Sequence, residues 1–331
     1  MDSTNRSKLT GLLSGYCADR LFLKWQNELA ECVYRSLRDS YAGKYNEEKM
    51  VGELCDSMAK EPYENMHIYS EKIHGSTSRV DFSVRGKKAS TELADMVLLS
   101  LITNSQELVY AKLAFVQNKK GAKRLKQPTW GIDSDQLFLL HNFPTFKGST
   151  GIFNNEPFKG QEIVFPNTTG SLGNYGLFEP GGEMIVAIAS EISAKLKGST
   201  VKYSSLAGDS SKYIARPMSA FPLGVGDAII LSKPGYTSPE HPFLQNVSLS
   251  MNAYDFVRNF TLFNIGEPID TTHPQGSTPK TDGDLFKLLN FFAQRPFLKG
   301  KVKITGGPDG PPVIGTDNNI NILCVHLELG G

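Results

Sequence analysis

"LVYAKLAFVQNKKGAKRLK", residues 108–126, passes from an apolar run into a basic one, and the change falls at Gln117-Asn118-Lys119. Strand side chains alternate with period two, so one face holds both Gln117 and Lys119. An apolar strand that ends this way is either leaving the core or presenting an amide and an ammonium for a purpose. The segment before it, "ELADMVLLSLIT" (92–103), is also strand-like, and "TNSQ" (103–106) reads as a hairpin turn between the two. A tip near residue 106 sets Asp95 opposite Gln117; a tip nearer 104 sets Glu92 there instead. Either register brings a carboxylate, an amide oxygen and a lysine to one end of two adjacent strands, with cross-strand Cβ atoms about 5 Å apart.

Carboxylate and amide oxygens are hard ligands suited to Mg²⁺ or Mn²⁺, and Mg²⁺ keeps several waters while taking few protein ligands. A lysine beside such an ion can orient an attacking water or offset charge on a phosphate. The chemistry this favours is metal-assisted hydrolysis of phosphodiesters. The plainer alternative is a strand that surfaces here, with Asp95, Gln117 and Lys119 as ordinary polar residues.

Asp95 followed by Gln117-Asn118-Lys119, with Glu-Leu-Ala-Asp leading the first strand, resembles the PD-(D/E)XK nuclease superfamily in its variants with glutamine at the third motif. "DSDQLFLLHNFPTF" (133–146) is similar to the strand and Phe-Pro loop that follow that motif in defence-associated nuclease-like proteins. The resemblance spans roughly residues 45–145. It implies a mixed α/β fold: a restriction-endonuclease-like core sheet flanked by helices, here with a large C-terminal extension. It further implies Asp95 and Gln117 as metal ligands and Lys119 as the catalytic lysine. The first-motif glutamate comes from the preceding helix, where Glu53 or Glu48 is available, or it is Glu92. The expected activity is a Mg²⁺- or Mn²⁺-dependent endonuclease acting on DNA, as an effector of bacterial anti-phage defence, with an ATPase or helicase as the implied partner. Two departures stand out: Gln117 is neutral where most relatives carry an acid, and Ala94 stands where the motif has proline. An inactive descendant that binds nucleic acid or a protein partner is therefore the second reading.

Between Glu107 and Asp133 there is no acidic residue, while Lys112, Lys119, Lys120, Lys123, Arg124 and Lys126 are all basic. In a chain of net charge +1 this local excess predicts phosphate-backbone contacts, and Trp130 is available to stack on a base. Apart from this stretch, 35 basic against 34 acidic residues say nothing about nucleic acid or membranes.

At 331 residues and 40% apolar composition the chain can bury a substantial core. A boundary near 148 divides it provisionally into 1–147, a helical lead-in with the nuclease-like core, and 148–331, an α+β region. Periodicity predicts helices at 19–41, with Leu21, Trp25, Leu29, Val33 and Leu37 as its apolar stripe, and at 46–61. Strands are predicted at 67–73, 78–86, 92–103, 107–117 and 135–143; helices at 183–197, 251–264 and 283–294; and late strands at 300–305 and 320–329. Cys17, Cys32, Cys55 and Cys324 have no metal-ligand spacing, and six histidines show neither HxH nor HExxH. No apolar run approaches membrane-spanning length, so a cytoplasmic protein without membrane contact is expected, with homo-oligomerisation left open. The glycine-rich stretch 168–184 lacks a Gly-Lys-Ser/Thr and reads as turns.

Overall fold

The structure, a computed structural model, describes residues 3–73, 76–122, 128–155, 157–165, 170–210, 247–269, 283–303 and 318–330. The chain opens with three helices, α1 (Ser3–Ala18), α2 (Arg20–Ala42) and α3 (Glu47–Met58). Strands β1 (Met66–Ile73), β2 (Ser76–Thr77), β3 (Arg79–Val84), β4 (Lys87–Glu92), β5 (Met96–Asn104), β6 (Glu107–Lys120) and β7 (Thr129–Gly131) follow. After α4 (Ser134–Asn142) come β8 (Phe146–Gly148), β9 (Glu162–Ile163), β10 (Gly173–Phe178), β11 (Met184–Ile188), α5 (Ala189–Lys195), β12 (Thr200–Lys202) and α6 (Tyr203–Ser210). The remaining elements are β13 (Leu249–Ser250), α7 (Ala253–Thr261), β14 (Glu267–Ile269), α8 (Gly283–Ala293) and β15 (Asn318–Leu329).

The fold is mixed α/β. Among the described residues the main sheet runs β1-β15-β5-β6-β10-β11-β13, with β14 beside β6 and β2 beside β15. β5 and β6 form an antiparallel hairpin, whereas β10 is parallel to β6 and β15 is parallel to β5. Its central strands read as near-continuous apolar runs because both faces are covered. One face packs Met96, Leu98, Ala114, Val116, Leu323 and Val325 against α1, α2, α3 and α7. The other packs Val97, Leu99, Leu113, Phe115, Ile322 and Tyr175 against α4, α5 and α8 and against a small sheet ordered β4-β3-β8-β9. Each fully enclosed aliphatic side chain contributes roughly 1.5–3 kcal/mol of burial. Strands from both sides of residue 148 lie in this one sheet.

Several sequence expectations need correction. The strand expected at 135–143 is instead helix as far as Asn142, with Phe143 as its left-handed cap: Asp133 caps α4 by accepting from Gln136 N at 2.8 Å, and a short apolar run cannot by itself separate helix from strand. The helix expected over 183–197 is β11 followed by the shorter α5, since Met184–Ile188 is enclosed on both faces and pairs with β10. In the segment 300–305, residues 300–303 hold only a turn and a single bridge from Lys303 to Glu107, and 304–305 lie outside the described residues. Leu21 is 66% exposed; Phe22, Gln26 and Ala30 are buried with Leu29, Val33 and Leu37 instead. α1, unread in the sequence, buries Leu9, Leu13 and Tyr16.

The hairpin turn is Ser105-Gln106, both at positive φ, 52° and 69°. This is the left-handed pair a two-residue turn needs to match strand twist, and Asn-Gly meets it with less strain. The double substitution Ser105→Asn/Gln106→Gly is expected to stabilise the protein by about 1 kcal/mol, read as a higher urea midpoint at unchanged slope.

Candidate functional site

The β5–β6 ladder sets the geometry. The turn pairs Asn104 with Glu107, and a bulge between Ile102 and Thr103 then shifts the register by one residue, so that Met96 meets Val116. A one-residue slip changes which side chains oppose each other. With the bulge, Asp95, just before β5, falls opposite Gln117, and Asp95 N donates to Val116 O at 3.1 Å. The alternative register is excluded: Glu92 ends β4 in the small sheet, where it pairs with Arg79.

The Asp95 backbone also ties two strands together. Its carbonyl accepts from Asn321 N at 3.1 Å and from Asn321 Nδ2 at 3.3 Å, both on β15. Its side chain accepts two hydrogen bonds at Oδ2, from Gln117 Nε2 at 2.7 Å and Asn118 N at 2.6 Å. Among the described residues Oδ1 has no hydrogen-bond partner. Gln117 is buried, and its Oε1 accepts from Gln136 Nε2 on α4.

Charge is concentrated here. Burial pushes the Asp95 carboxyl up to about 6 from the ordinary 3.8; the Asn118 N–H and the Lys119 ammonium oppose the rise and Glu47 adds to it. Glu92 is pushed up to about 7, first by burial and then by Asp95, with Lys119 and Arg79 opposing and Glu48 adding. Lys119 shares the β6 face of Gln117 and acts on both acids, and its ammonium forms no ion pair or hydrogen bond among the described residues. The Tyr175 hydroxyl on β10, opposite Gln117, is enclosed without a hydrogen-bond partner among the described residues; burial, Asp133 and Asp95 all raise it.

The structure thus gathers Asp95, Gln117, Lys119 and Glu92. The first turn of α3 brings Glu47 and Glu48 toward them, with Glu48 paired to Lys72 at 3.3 Å and Glu47 accepting from Lys120 N at 2.8 Å. Glu53 lies about 9 Å further along that helix. Glu47 was missed although Asn46-Glu47-Glu48 follows a helix-cap pattern, with Asn46 accepting from Lys49 N. Gln136 was missed because its segment was read as a strand.

The basic stretch separates into unlike parts. Lys112 is fully enclosed, its ammonium pushed down to about 7 by burial while Glu267 opposes the fall, so it offers no surface to a phosphate. Lys120 donates from Nζ to Tyr45 O and lies over the Tyr41 ring at 5.0 Å, tying the α2–α3 loop to β6. Lys123, Arg124 and Lys126 lie outside the described residues. Trp130 is fully buried and donates to Phe178 O at 3.0 Å, so it cannot stack on a base.

Whether these residues suit a divalent ion follows from the donor set. Among the described residues no three His, Cys, Asp or Glu side chains converge to cage a metal. Gln117 does not suit a ligand role, because its oxygen is turned to Gln136 and its nitrogen to Asp95. Asp95 Oδ1 and the Glu92 carboxylate do suit it, as one or two carboxylates suffice for a Mg²⁺ that keeps its waters. A groove of about 640 Å³ along α2, lined in part by Arg20, Lys24, Arg35 and Tyr254, lies apart from these residues. Among the described residues no helix is long and apolar enough to cross a membrane. No protein-family model matches the chain, and neither does any curated protein or solved structure.

Proposed function

We propose that this protein hydrolyses phosphodiester bonds of DNA with a Mg²⁺ or Mn²⁺ ion held by Asp95 and Glu92. The observation that carries the reading is the pair of crowded acids, pushed up to about 6 and about 7, with the Lys119 ammonium beside both. Acids held above their ordinary range at one spot, with a cation beside them, are a pattern that clusters at functional sites. When bound, the ion would supply a polarised phosphoryl oxygen and an activated water. Asp95 would orient one carboxylate oxygen toward it, with its other oxygen saturated by Gln117 and Asn118. Lys119 would offset charge on the phosphate or hold the water. Service as the effector of anti-phage defence, with an ATPase or helicase partner, belongs to the same proposal.

The test is incubation of the protein with linear and circular DNA and with RNA, under Mg²⁺, Mn²⁺ or EDTA. Cleavage is expected with either ion, none with EDTA, and a loss of at least about 100-fold for Lys119→Ala. Wild-type protein that cleaves no substrate with either ion sinks the proposal.

A second reading has one observation in its favour. Gln117 is fixed by hydrogen bonds at both ends of its amide, as a structural residue would be. On that reading the chain is a catalytically degenerate module that binds nucleic acid or a protein partner. Its thermal stability would then be indifferent to Mn²⁺ at pH 8.

A further inference from the structure

Gln136 sits in the first turn of α4, enclosed at 3% exposure, its main-chain nitrogen donating to the cap Asp133. Its side-chain nitrogen serves two acceptors, Gln117 Oε1 and the Glu92 carbonyl at 3.2 Å. The Glu92 carbonyl can only accept, so the Gln136 group that meets it and Gln117 is the NH₂, the only donor on its side chain. The Gln117 atom facing Gln136 is therefore its oxygen, and the Gln117 NH₂ points to Asp95 Oδ2 at 2.7 Å. Asn118 N donates to the same Oδ2 at 2.6 Å, which leaves Oδ1 as the carboxylate atom without a protein partner among the described residues.

We infer that Gln136 is a positioning residue: through Gln117 it fixes which oxygen of Asp95 is turned to a divalent cation. The position that carries an acid ligand in the nuclease superfamily this chain resembles acts here as a hydrogen-bond donor, and the direction of its amide is set from α4. The relay consists of neutral amides, so it orients Asp95 without adding charge. Its bearing on the cation rests on the proposed function; the arrangement of the amides does not.

The first experiment needs no metal. In ¹⁵N NMR of the full chain, the Gln117 side-chain NH₂, assigned by its loss in Gln117→Leu, is expected to exchange with solvent at least about tenfold more slowly than that of the exposed Gln161. That protection should vanish in Gln136→Leu. If Gln136→Leu does not fold, Gln136→Met keeps the length without the amide and takes its place. Equal protection with and without the Gln136 amide overturns the inference.

The second experiment titrates Mn²⁺ alone. Gln136→Leu and Gln117→Leu should each weaken its Kd about tenfold, and the double variant no further, because both changes break one chain. An additive, about 100-fold loss in the double variant overturns the relay, as does an unchanged Kd in Gln136→Leu. Wild-type protein that binds no Mn²⁺ overturns the cation half along with the proposed function, while the exchange measurement still decides the amide half.

Discussion

Asp95→Asn is expected to abolish metal-dependent cleavage, by about 10³-fold or more, and at the same time to make the protein more stable at pH 8. Asparagine keeps an oxygen that can accept from Gln117 Nε2 and Asn118 N, so the local hydrogen bonds survive while the buried charge goes. The direction of the stability change follows from linkage. Asp95 and Glu92 are raised to about 6 and about 7 from 3.8 and 4.5, so the native state binds protons more tightly than the unfolded chain. Stability therefore falls as pH rises through the window from about 4 to about 7, and the cost is complete above it. Raising one carboxyl from 3.8 to about 6 is worth at most about 3 kcal/mol, and partial exposure reduces this to about 1–2 kcal/mol. The gain of Asp95→Asn should thus be about 1–2 kcal/mol at pH 8 and vanish below about pH 4. Mn²⁺ should raise the melting temperature of the wild type at pH 8, much less at pH 5, and not at all in the variant. Chemical denaturation across pH reads the stability gain and thermal melting with and without Mn²⁺ reads the ion's effect; a variant less stable than wild type at pH 8 contradicts the account of the site.

Gly173→Ala is expected to destabilise the protein by about 3 kcal/mol and to weaken the site with it. Gly173 begins β10 beside Phe115, and a Cβ there would lie 2.0 Å from Leu140 O and 2.9 Å from Leu140 Cβ. A main-chain oxygen cannot swing aside as a side-chain end does, so α4 would have to lift off the sheet. Gln136 lies one turn earlier on that helix and would be drawn from Gln117. The variant should therefore lower the urea midpoint and weaken Mn²⁺ binding together. A variant as stable as wild type would mean that α4 does not pack on β10 as described.

The hairpin and the meeting of Asp95 with Gln117 were readable because their signals are local. Alternation put Gln117 and Lys119 on one face, and the hydrophobic run ended where the ladder ends. The register was open between two choices, and the bulge that decides between them leaves no composition signal. α2 and α3 declared themselves through helical stripes, although the stripe on α2 was read one residue out of phase at Leu21. What failed was either a local cap passed over or burial set by distant partners. Residues 135–143 have an apolar content that suits either element, and only the Asp133 cap tips them to helix. Lys112 looked like part of a basic patch, yet it lies on a strand covered on both faces, and burial is invisible to a count of charges. The mixed α/β class was legible; the place of β15 between β1 and β5 was not, since over 200 residues of sequence separate it from both partners.

That placement of β15 has a consequence for how the protein is made. Residues 318–329 fill the gap between β1 and β5, and Asn321 holds the Asp95 carbonyl from that side. A nascent chain still lacking this strand has an open seam one strand in from the edge of its sheet, between β1 and β5, and its acidic cluster has lost one wall. Such long-range closure is slow. The acidic cluster therefore takes its described form only once residues 318–329 have joined the sheet, and a product truncated before them lacks the Asn321 contact altogether.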